Sequence, residues 1–312
     1  MPILKADRFA YVRMQVPDLD KGRKFYSDFG LIEHELVADR LYLRGHGAEA
    51  PLLIVETGPQ KLRAIGFCAS SRADLELVAQ MPEASPIRAR DEPGGGWVTR
   101  LKDPDGTQVE LISGLDDVPV IPVQRTPMNS GIDRLRRTGL AVRPPRGPSH
   151  VLRLGHLVMR SPNPSALSSW YREMLGLLVS DEVYDDNRET VFLSFNRLDR
   201  GDEFVDHHVL QTMHGEAGCV HHISFEVMDM DDLYIGHEHL RDSGYHHVWG
   251  IGRHRQGSQI FDYWTDLFGV MYEHWTDGDL LNIQSAVTAA TVAESHGPWG
   301  PPPPEAFFTQ SS

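Results

Sequence analysis

The chain has 312 residues, 40% of them hydrophobic, which predicts a globular protein with a sizeable core and about two domains. Its formal net charge of −14 at pH 7 argues against non-specific nucleic-acid binding, because a polyanion would be repelled. With only two cysteines, no apolar signal-peptide core at the N-terminus and no apolar run of roughly 18 residues, the sequence predicts a cytoplasmic protein without disulfides or a membrane span.

The first predicted elements are a strand and a helix in residues 8–31, and they recur in residues 153–177. Each segment contains a strand, a proline, a helix, an aromatic pair and a terminal Gly-Leu, in that order. Asp18 and Asn163 are expected to cap the two helices at their N-termini, and Gly176 is expected to end the second one. The chain therefore contains an internal repeat.

The remainder of each half repeats as well. A second helix is predicted in residues 70–81 and again in residues 228–244. A closing hairpin is predicted in residues 98–113, where the turn reads DPDG, and in residues 262–275. The order of elements is βαβββ, twice, so the predicted fold class is α+β with two similar domains.

The predicted domain limits follow the repeat. The Pro- and Arg-rich stretch before His150, which includes VRPPRGPSH, is read as a linker, and the C-terminal residues with their run of four prolines as an extended tail outside the domain core. Aromatic residues of that tail could dock on the body or on a neighbour, or the tail could be inert. The predicted segments are an N-terminal domain at 1–120, the linker at 121–149, a C-terminal domain at 150–285 and the tail at 286–312.

Three residues of the second half, His156, His222 and Glu273, each lie in a short β-like run. Two imidazoles and one carboxylate can form a facial triad on Fe(II), leaving positions open for a chelating substrate and O2. Fourteen of the 16 histidines lie at or after His150, which packing alone does not explain if both halves share a fold. The alternatives are hydrogen-bonded core histidines, and a glutamate that pairs with Arg253 or lies at the surface.

The second hairpin supports this hypothesis. A turn centred on position 268 would place Tyr263 directly opposite Glu273, so that both side chains could reach one cavity. The repeat puts Arg100 and Glu110 at the same two places in the first half, and Tyr11 takes the place of the first histidine. An arginine opposite a glutamate predicts a cross-strand ion pair, so the first half is expected to hold no metal.

A duplicated module with His, His and Glu only in its second copy resembles the vicinal oxygen chelate superfamily, specifically its two-domain (type I) extradiol ring-cleavage dioxygenases. The resemblance covers roughly residues 8–279 and is sharpest in residues 250–279. It implies Fe(II) bound by His156, His222 and Glu273. One departure is the turn at residues 266–269, which reads DLFG where the family usually has Asp-Pro-x-Gly; the change affects the rigidity of the turn and no ligand.

The resemblance also implies roles for three further residues. His208 would be the acid/base catalyst, and His254 and Tyr263 would contact the substrate oxygens. His207 is a rival to His208, although strand parity and the 14-residue step to His222 favour His208. His254 could instead be solvated in its glycine-flanked loop, and Tyr263 could be a core aromatic.

The implied function is extradiol cleavage of a catecholic compound by O2 in the breakdown of aromatic compounds, with a small-molecule substrate, no nucleic-acid or membrane partner, and assembly as a homo-oligomer. Which catechol is cleaved, and at which bond beside the diol, stays open. Alternatives are a hydroquinone or trihydroxylated substrate on the same fold, Mn(II) in place of Fe(II), and, in another class, a metal-free binding protein that sequesters ligands. Lactoylglutathione lyase chemistry is disfavoured because that relative uses a second carboxylate ligand.

Overall fold

The structure, a computed structural model, describes residues 1–309 and forms one large β-sheet from each half of the chain. The elements of the first half are β1 (Ala6–Val16), α1 (Leu19–Phe29), β2 (Ile32–Val37), β3 (Arg40–Arg44), β4 (Leu53–Thr57), β5 (Lys61–Ala69), α2 (Arg72–Val78), β6 (Arg88–Ala89), β7 (Trp97–Lys102) and β8 (Gln108–Ser113). They build an eight-stranded sheet in the order β2-β3-β4-β1-β5-β8-β7-β6.

The second half follows the same plan. Its elements are β9 (Val151–Ser161), α3 (Pro164–Leu175), β10 (Leu178–Tyr184), β11 (Val191–Arg197), β12 (Val205–Asp206), β13 (Leu210–His214), β14 (Val220–Val227), α4 (Met230–Asp242), β15 (His246–Arg253), β16 (Ile260–Thr265), β17 (Met271–Thr276), β18 (Leu280–Leu281), β19 (Thr288–Thr291) and α5 (Glu305–Thr309). Nine strands form a sheet in the order β15-β16-β17-β14-β9-β13-β11-β10-β19, and β12 pairs with β18.

The predicted α+β fold with two similar domains is confirmed. Within each domain the structure is more repetitive than predicted, because the order βαβββ occurs twice, as in β1-α1-β2-β3-β4 followed by β5-α2-β6-β7-β8. The two units of a domain join through antiparallel pairing of their first strands, β1 with β5 and β9 with β14. This pairing places β9, β14 and β17 side by side at the centre of the second sheet.

The predicted helix caps are confirmed. The Asp18 side chain accepts a hydrogen bond from the Lys21 amide at 3.0 Å, and Asn163 caps α3 with Pro164 as its first residue. α3 ends at Gly176, whose φ of 67° lies in the left-handed region that favours glycine. These local signals fix where the first helix of each domain begins.

A continuous apolar core joins the two domains. α1 packs on β17, where the Phe29 and Tyr272 rings lie 5.7 Å apart. His274, the neighbour of Glu273, stacks on Phe29 at 3.7 Å and donates from Nε2 to the Phe29 carbonyl at 2.7 Å. β17 is thereby anchored on the N-terminal domain through the sheet face opposite Glu273. None of the helices in residues 1–309 is long and apolar enough to cross a membrane.

The C-terminal residues depart from the expected extended tail. Residues 288–291 form β19, which pairs in parallel with β10 and adds an edge strand to the second sheet. Glu305–Thr309 is a short helix that follows the proline run. By contrast, no helix or strand lies between Ser113 and Val151, as expected of the linker, and the domain limits themselves stay a prediction.

Candidate metal centre

Three adjacent strands bring the predicted ligands together. β14 pairs with β17 on one side and with β9 on the other, and Ser224 is the register partner of both Glu273 and His156. His222 lies two residues before Ser224 and therefore on the same face of β14. The alternation of side chains along neighbouring strands thus directs two imidazoles and a carboxylate toward one point.

The ligand atoms converge closely. His156 Nε2 lies 3.0 Å from Glu273 Oε2 and 3.2 Å from His222 Nε2, and His222 Nε2 lies 3.5 Å from the same carboxylate oxygen. All three side chains are buried, with Glu273 fully inaccessible. The Ser224 hydroxyl donates a hydrogen bond to Glu273 Oε2 and helps to orient the carboxylate.

The electrostatics of this group favour a cation. Burial raises the pKa of Glu273, but the close approach of the His156 and His254 imidazoles outweighs burial and holds the pKa well below its usual range. Burial also holds the pKa of His222 well below its ordinary value, so this imidazole is neutral at pH 7. A buried carboxylate beside a neutral imidazole is costly without a positive partner, and Glu273 Oε1 is buried without a hydrogen-bond partner. Two nitrogens and one carboxylate suit Fe(II) or Mn(II).

The other predicted site residues lie around this group. The rings of His208 and His156 are 4.0 Å apart, and His254 Nε2 lies 2.8 Å from the Tyr263 hydroxyl and 3.5 Å from Glu273 Oε1. Tyr263 is the register partner of Glu273, as the hairpin predicted. The structure therefore brings all six predicted residues together, while their individual roles stay predictions.

The cavity above the candidate ligands has a volume of about 500 Å³. Its wall is largely apolar, with Val183, Phe192, Leu193, Phe195, Met213 and Trp249 among the lining residues. His208 lines it, whereas His207 does not, which favours His208 over its neighbour as the group that reaches a ligand.

Sequence reasoning missed the contribution of the C-terminal residues to this wall. Phe307 packs against Tyr263 with ring centroids 5.0 Å apart, and the Trp249 indole donates to the Pro301 carbonyl at 2.8 Å. The tail therefore docks on the body of its own chain and covers the cavity. The aromatic residues of the tail were a signal for docking, but nothing in the local sequence indicated where.

The hairpin of the first domain has a different composition. Arg100 Nε lies 2.7 Å from Glu110 Oε1, so the predicted ion pair is confirmed, and Arg13 and the Tyr11 hydroxyl also contact Glu110. Burial raises the pKa of Glu110, but the Arg13 charge and hydrogen bonds from Tyr11 and Arg100 lower it to about 2. Arg13 and Arg100 thus supply positive charge beside Glu110, as a bound cation would beside Glu273 in the second domain.

One further group of ligand-type side chains converges within residues 1–309, formed by His237, His247 and Asp262. Its carboxylate is already satisfied, because it accepts from His247 at 2.8 Å, from His237 at 3.1 Å and from the Trp264 indole at 2.6 Å. It lies on strand β16 beside Tyr263, on the opposite face. We interpret it as a hydrogen-bonded cluster between α4 and the sheet.

A crystal of the iron-loaded protein is expected to show one anomalous peak per chain at the iron edge, beside Glu273. No peak is expected at Glu110, since the two arginines there repel a cation. Anomalous difference maps collected on either side of the edge make this measurement, and a peak in the first domain would overturn the assignment.

Known proteins resemble this chain in sequence and in fold. Residues 153–273 match the model of the Glyoxalase/Bleomycin resistance protein/Dioxygenase superfamily. The chain is 26% identical over 309 residues to metapyrocatechase 2 of Cupriavidus necator, which covers 94% of this chain and 89% of that protein.

Two solved structures show the same fold. An extradiol ring-cleaving dioxygenase from B. fuscum superposes with a TM-score of 0.81 at 20% identity, covering 100% of this chain and 84% of that one. A Mn(II)-bound glyoxalase from Novosphingobium aromaticivorans superposes with a TM-score of 0.78 at 22% identity, covering 96% and 95%. Residues 153–273 thus form a domain of the Glyoxalase/Bleomycin resistance protein/Dioxygenase superfamily, and the chain as a whole is similar in sequence to metapyrocatechase 2.

Proposed function

We propose that this enzyme is an Fe(II)-dependent extradiol dioxygenase that opens an uncharged catechol with O2. The observation that carries the proposal is the convergence of His156, His222 and Glu273 at the base of a covered apolar cavity. Fe(II) held by these three side chains would supply open positions where a diol and O2 can meet, and would lower the pKa of a bound phenol. Metapyrocatechase 2, the relative reported above, supports the choice of a catechol.

His208 is proposed as the acid and base. Burial, followed by the neighbouring imidazoles of His156 and His207, holds the pKa of His208 well below its ordinary value, so its ring is neutral at pH 7. A neutral imidazole lining the cavity can accept a proton from a substrate hydroxyl and return it later in the reaction. His208 needs no contact with the metal for this role.

Tyr263 and His254 are proposed to bind the substrate oxygens. Burial, and then the charge of Glu273, raises the pKa of Tyr263 well above its ordinary value, so its phenol stays protonated. A protonated phenol donates a hydrogen bond and does not add a second anionic ligand. The hydrogen bond between the Tyr263 hydroxyl and His254 holds both groups at the edge of the cavity.

The cavity favours an uncharged substrate. In the part of the chain that the structure describes, Arg253 is the one arginine or lysine that lines it. That guanidinium already donates to the Ser258 carbonyl at 2.5 Å and pairs with Asp277 at 2.7 Å. A carboxylated catechol would therefore lack a free cationic partner, whereas an alkyl or aryl substituent would contact the apolar wall.

The proposal extends to the cofactor and the setting of the protein. Fe(II) is the proposed metal and Mn(II) its competitor, because the donor set suits both and one structural neighbour holds Mn(II). Both cysteines are free thiols, which suits the reducing cytoplasm where Fe(II) persists. We further propose a homo-oligomer with no nucleic-acid partner.

The product formed under labelled O2 is expected to be a yellow ring-opened semialdehyde that carries both labelled atoms. Two neutral imidazoles and one carboxylate stabilise Fe(II), whereas a site for cleavage between the hydroxyls would need anionic tyrosinate ligands. Mass spectrometry of the product from the best substrate in a catechol panel, after anaerobic Fe(II) loading, makes the measurement. A muconic diacid, or a hydroxylated ring with one labelled atom, would reject the extradiol assignment.

A further inference from the structure

Two adjacent pairs of histidines lie at the candidate metal centre. In the pairs His207-His208 and His221-His222, the second member is a proposed catalytic or ligand residue, and the first contacts its ring at Nδ1. His207 Nδ1 is 3.0 Å from His208 Nδ1, and His221 Nδ1 is 2.7 Å from His222 Nδ1. Each outer histidine therefore shares a hydrogen bond with the inner ring on the side away from the reaction.

The contacts of His221 determine the tautomer of His222. His221 Nε2 lies 2.6 Å from the Phe307 carbonyl oxygen, which can only accept, so the His221 proton resides on Nε2. A neutral His221 then offers a lone pair at Nδ1 and accepts from the N–H of His222 Nδ1. This leaves the lone pair of His222 on Nε2, the atom that faces Glu273 and His156.

The contacts of His207 act in the same way on His208. His207 Nε2 lies 3.0 Å from Asp181 Oδ2, and a carboxylate accepts this proton. Burial raises the pKa of Asp181, but hydrogen bonds from His207 and Thr288 outweigh it and lower the pKa, so the carboxylate is ionised. His207 Nδ1 then accepts from the N–H of His208 Nδ1, which leaves the lone pair of His208 on Nε2.

Both hydrogen-bond chains end on residues 288–308, which we name the C-terminal segment. The Thr288 hydroxyl donates to Asp181 Oδ1 at 2.5 Å, and the Phe307 carbonyl accepts from His221. Further contacts hold the segment in place, since Arg160 donates to the Phe308 carbonyl at 2.6 Å and the rings of Phe307 and His221 lie 4.7 Å apart.

We propose that His207 and His221 are positioning residues that fix the tautomers of His208 and His222, and that the C-terminal segment holds both of them in place. The acid/base role of His208 and the ligand role of His222 rest on the proposed function. A histidine whose outer hydrogen bond is lost can rotate or change tautomer, and loss of such support lowers metal affinity by about 10- to 100-fold. A segment outside the repeated modules thereby becomes part of the active site.

The role of His221 is tested by metal affinity, which needs no turnover. The full chain is stripped of metal and titrated anaerobically with Fe(II) against a chelator, as wild type and as His221→Asn and His221→Gln. An asparagine amide can place an acceptor near the position of Nδ1, whereas a glutamine amide reaches toward Nε2 and leaves His222 Nδ1 unsupported. We expect His221→Gln to weaken binding about 10- to 100-fold, and His221→Asn to stay within about 3-fold of wild type.

The role of His207 is tested by kinetics. His207→Gln is expected to lower kcat by about 10- to 100-fold with KM and Fe(II) affinity unchanged, and His207→Asn to restore most of kcat. Thr288→Val, which removes only the hydroxyl that holds Asp181, is expected to lower kcat by a smaller factor. The matched controls are His214→Asn and His214→Gln, at an exposed histidine outside the cavity, which are expected to change neither quantity.

Equal behaviour of the Asn and Gln variants at both positions, with wild-type values, would overturn the proposal. Equal loss of affinity or kcat in the Asn and Gln variants would also overturn it, because the outer histidine would then contribute only to packing. Thermal melts identify any variant that fails to fold, and the milder Asn variants and Thr288→Val keep the comparison informative. If wild type lacks ring-cleaving activity while the affinity difference at His221 persists, the proposed function fails and the positioning of the metal ligand stands.

Discussion

Glu273→Gln is expected to lose Fe(II) affinity by more than about 100-fold and to abolish ring cleavage, with the fold retained. The amide keeps the volume of the buried side chain but removes the negative charge that a cation needs. Glu273 is fully buried beside His156 and His222, and within residues 1–309 no other carboxylate oxygen converges with these two imidazoles. Metal analysis after anaerobic loading and oxygen uptake give the two measurements.

The first domain supplies a matched control for this substitution. Glu110 takes the equivalent place in the hairpin, and its carboxylate is held by Arg100 and Arg13. Glu110→Gln is expected to keep full iron content and turnover while losing stability by about 1 to 3 kcal/mol, because the hydrogen bonds from Tyr11, Arg13 and Arg100 lose their charged acceptor. Full iron content in Glu273→Ala or Glu273→Gln would remove Glu273 from the ligand set.

The contrast between the two hairpins was predictable because it depends on local geometry. A turn centred on position 268 places Tyr263 opposite Glu273, and the first hairpin places Arg100 opposite Glu110 in the same way. Each pairing follows from counting residues within one hairpin. Helix caps such as Asp18 are equally local, since the capping contact spans three residues.

The contacts that complete the site were not predictable in the same way. His221 meets the Phe307 carbonyl across 86 positions of the sequence, and His274 meets Phe29 across 245. Such contacts depend on how the domains and the C-terminal segment pack, and periodicity within one element carries no information about them. The His-His pairs were visible in the sequence, but the direction of each ring depends on Asp181 and Phe307, which only the fold brings near.

The tail shows how a correct local reading can miss a structural role. Its run of prolines excludes regular hydrogen-bonded structure, and residues 301–304 have none. The residues on either side nevertheless form β19 and α5, because the edge of β10 offers backbone partners and the cavity offers an apolar surface for Phe307. The absence of regular secondary structure in residues 301–304 therefore gave little information about whether the C-terminal segment docks.

His208→Asn is expected to keep Fe(II) and substrate binding while slowing turnover by about 10²- to 10⁴-fold. An asparagine amide can replace the contact of His208 Nδ1 with His207, but it lacks the Nε2 lone pair that would accept a substrate proton. The shape of the cavity and the ligand set stay intact, so the loss should fall on kcat.

The measurement separates binding from chemistry. Anaerobic titration with a catechol reports substrate binding to the iron-loaded variant, and mixing with O2 then reports the rate of product formation in a single turnover. His214→Asn, the same substitution at an exposed histidine, is the control and is expected to react as fast as wild type. If His208→Asn loses its iron, His208 is a ligand and the triad must be revised. If it turns over at the wild-type rate, the acid/base role belongs to another group, with His207 and His254 the candidates.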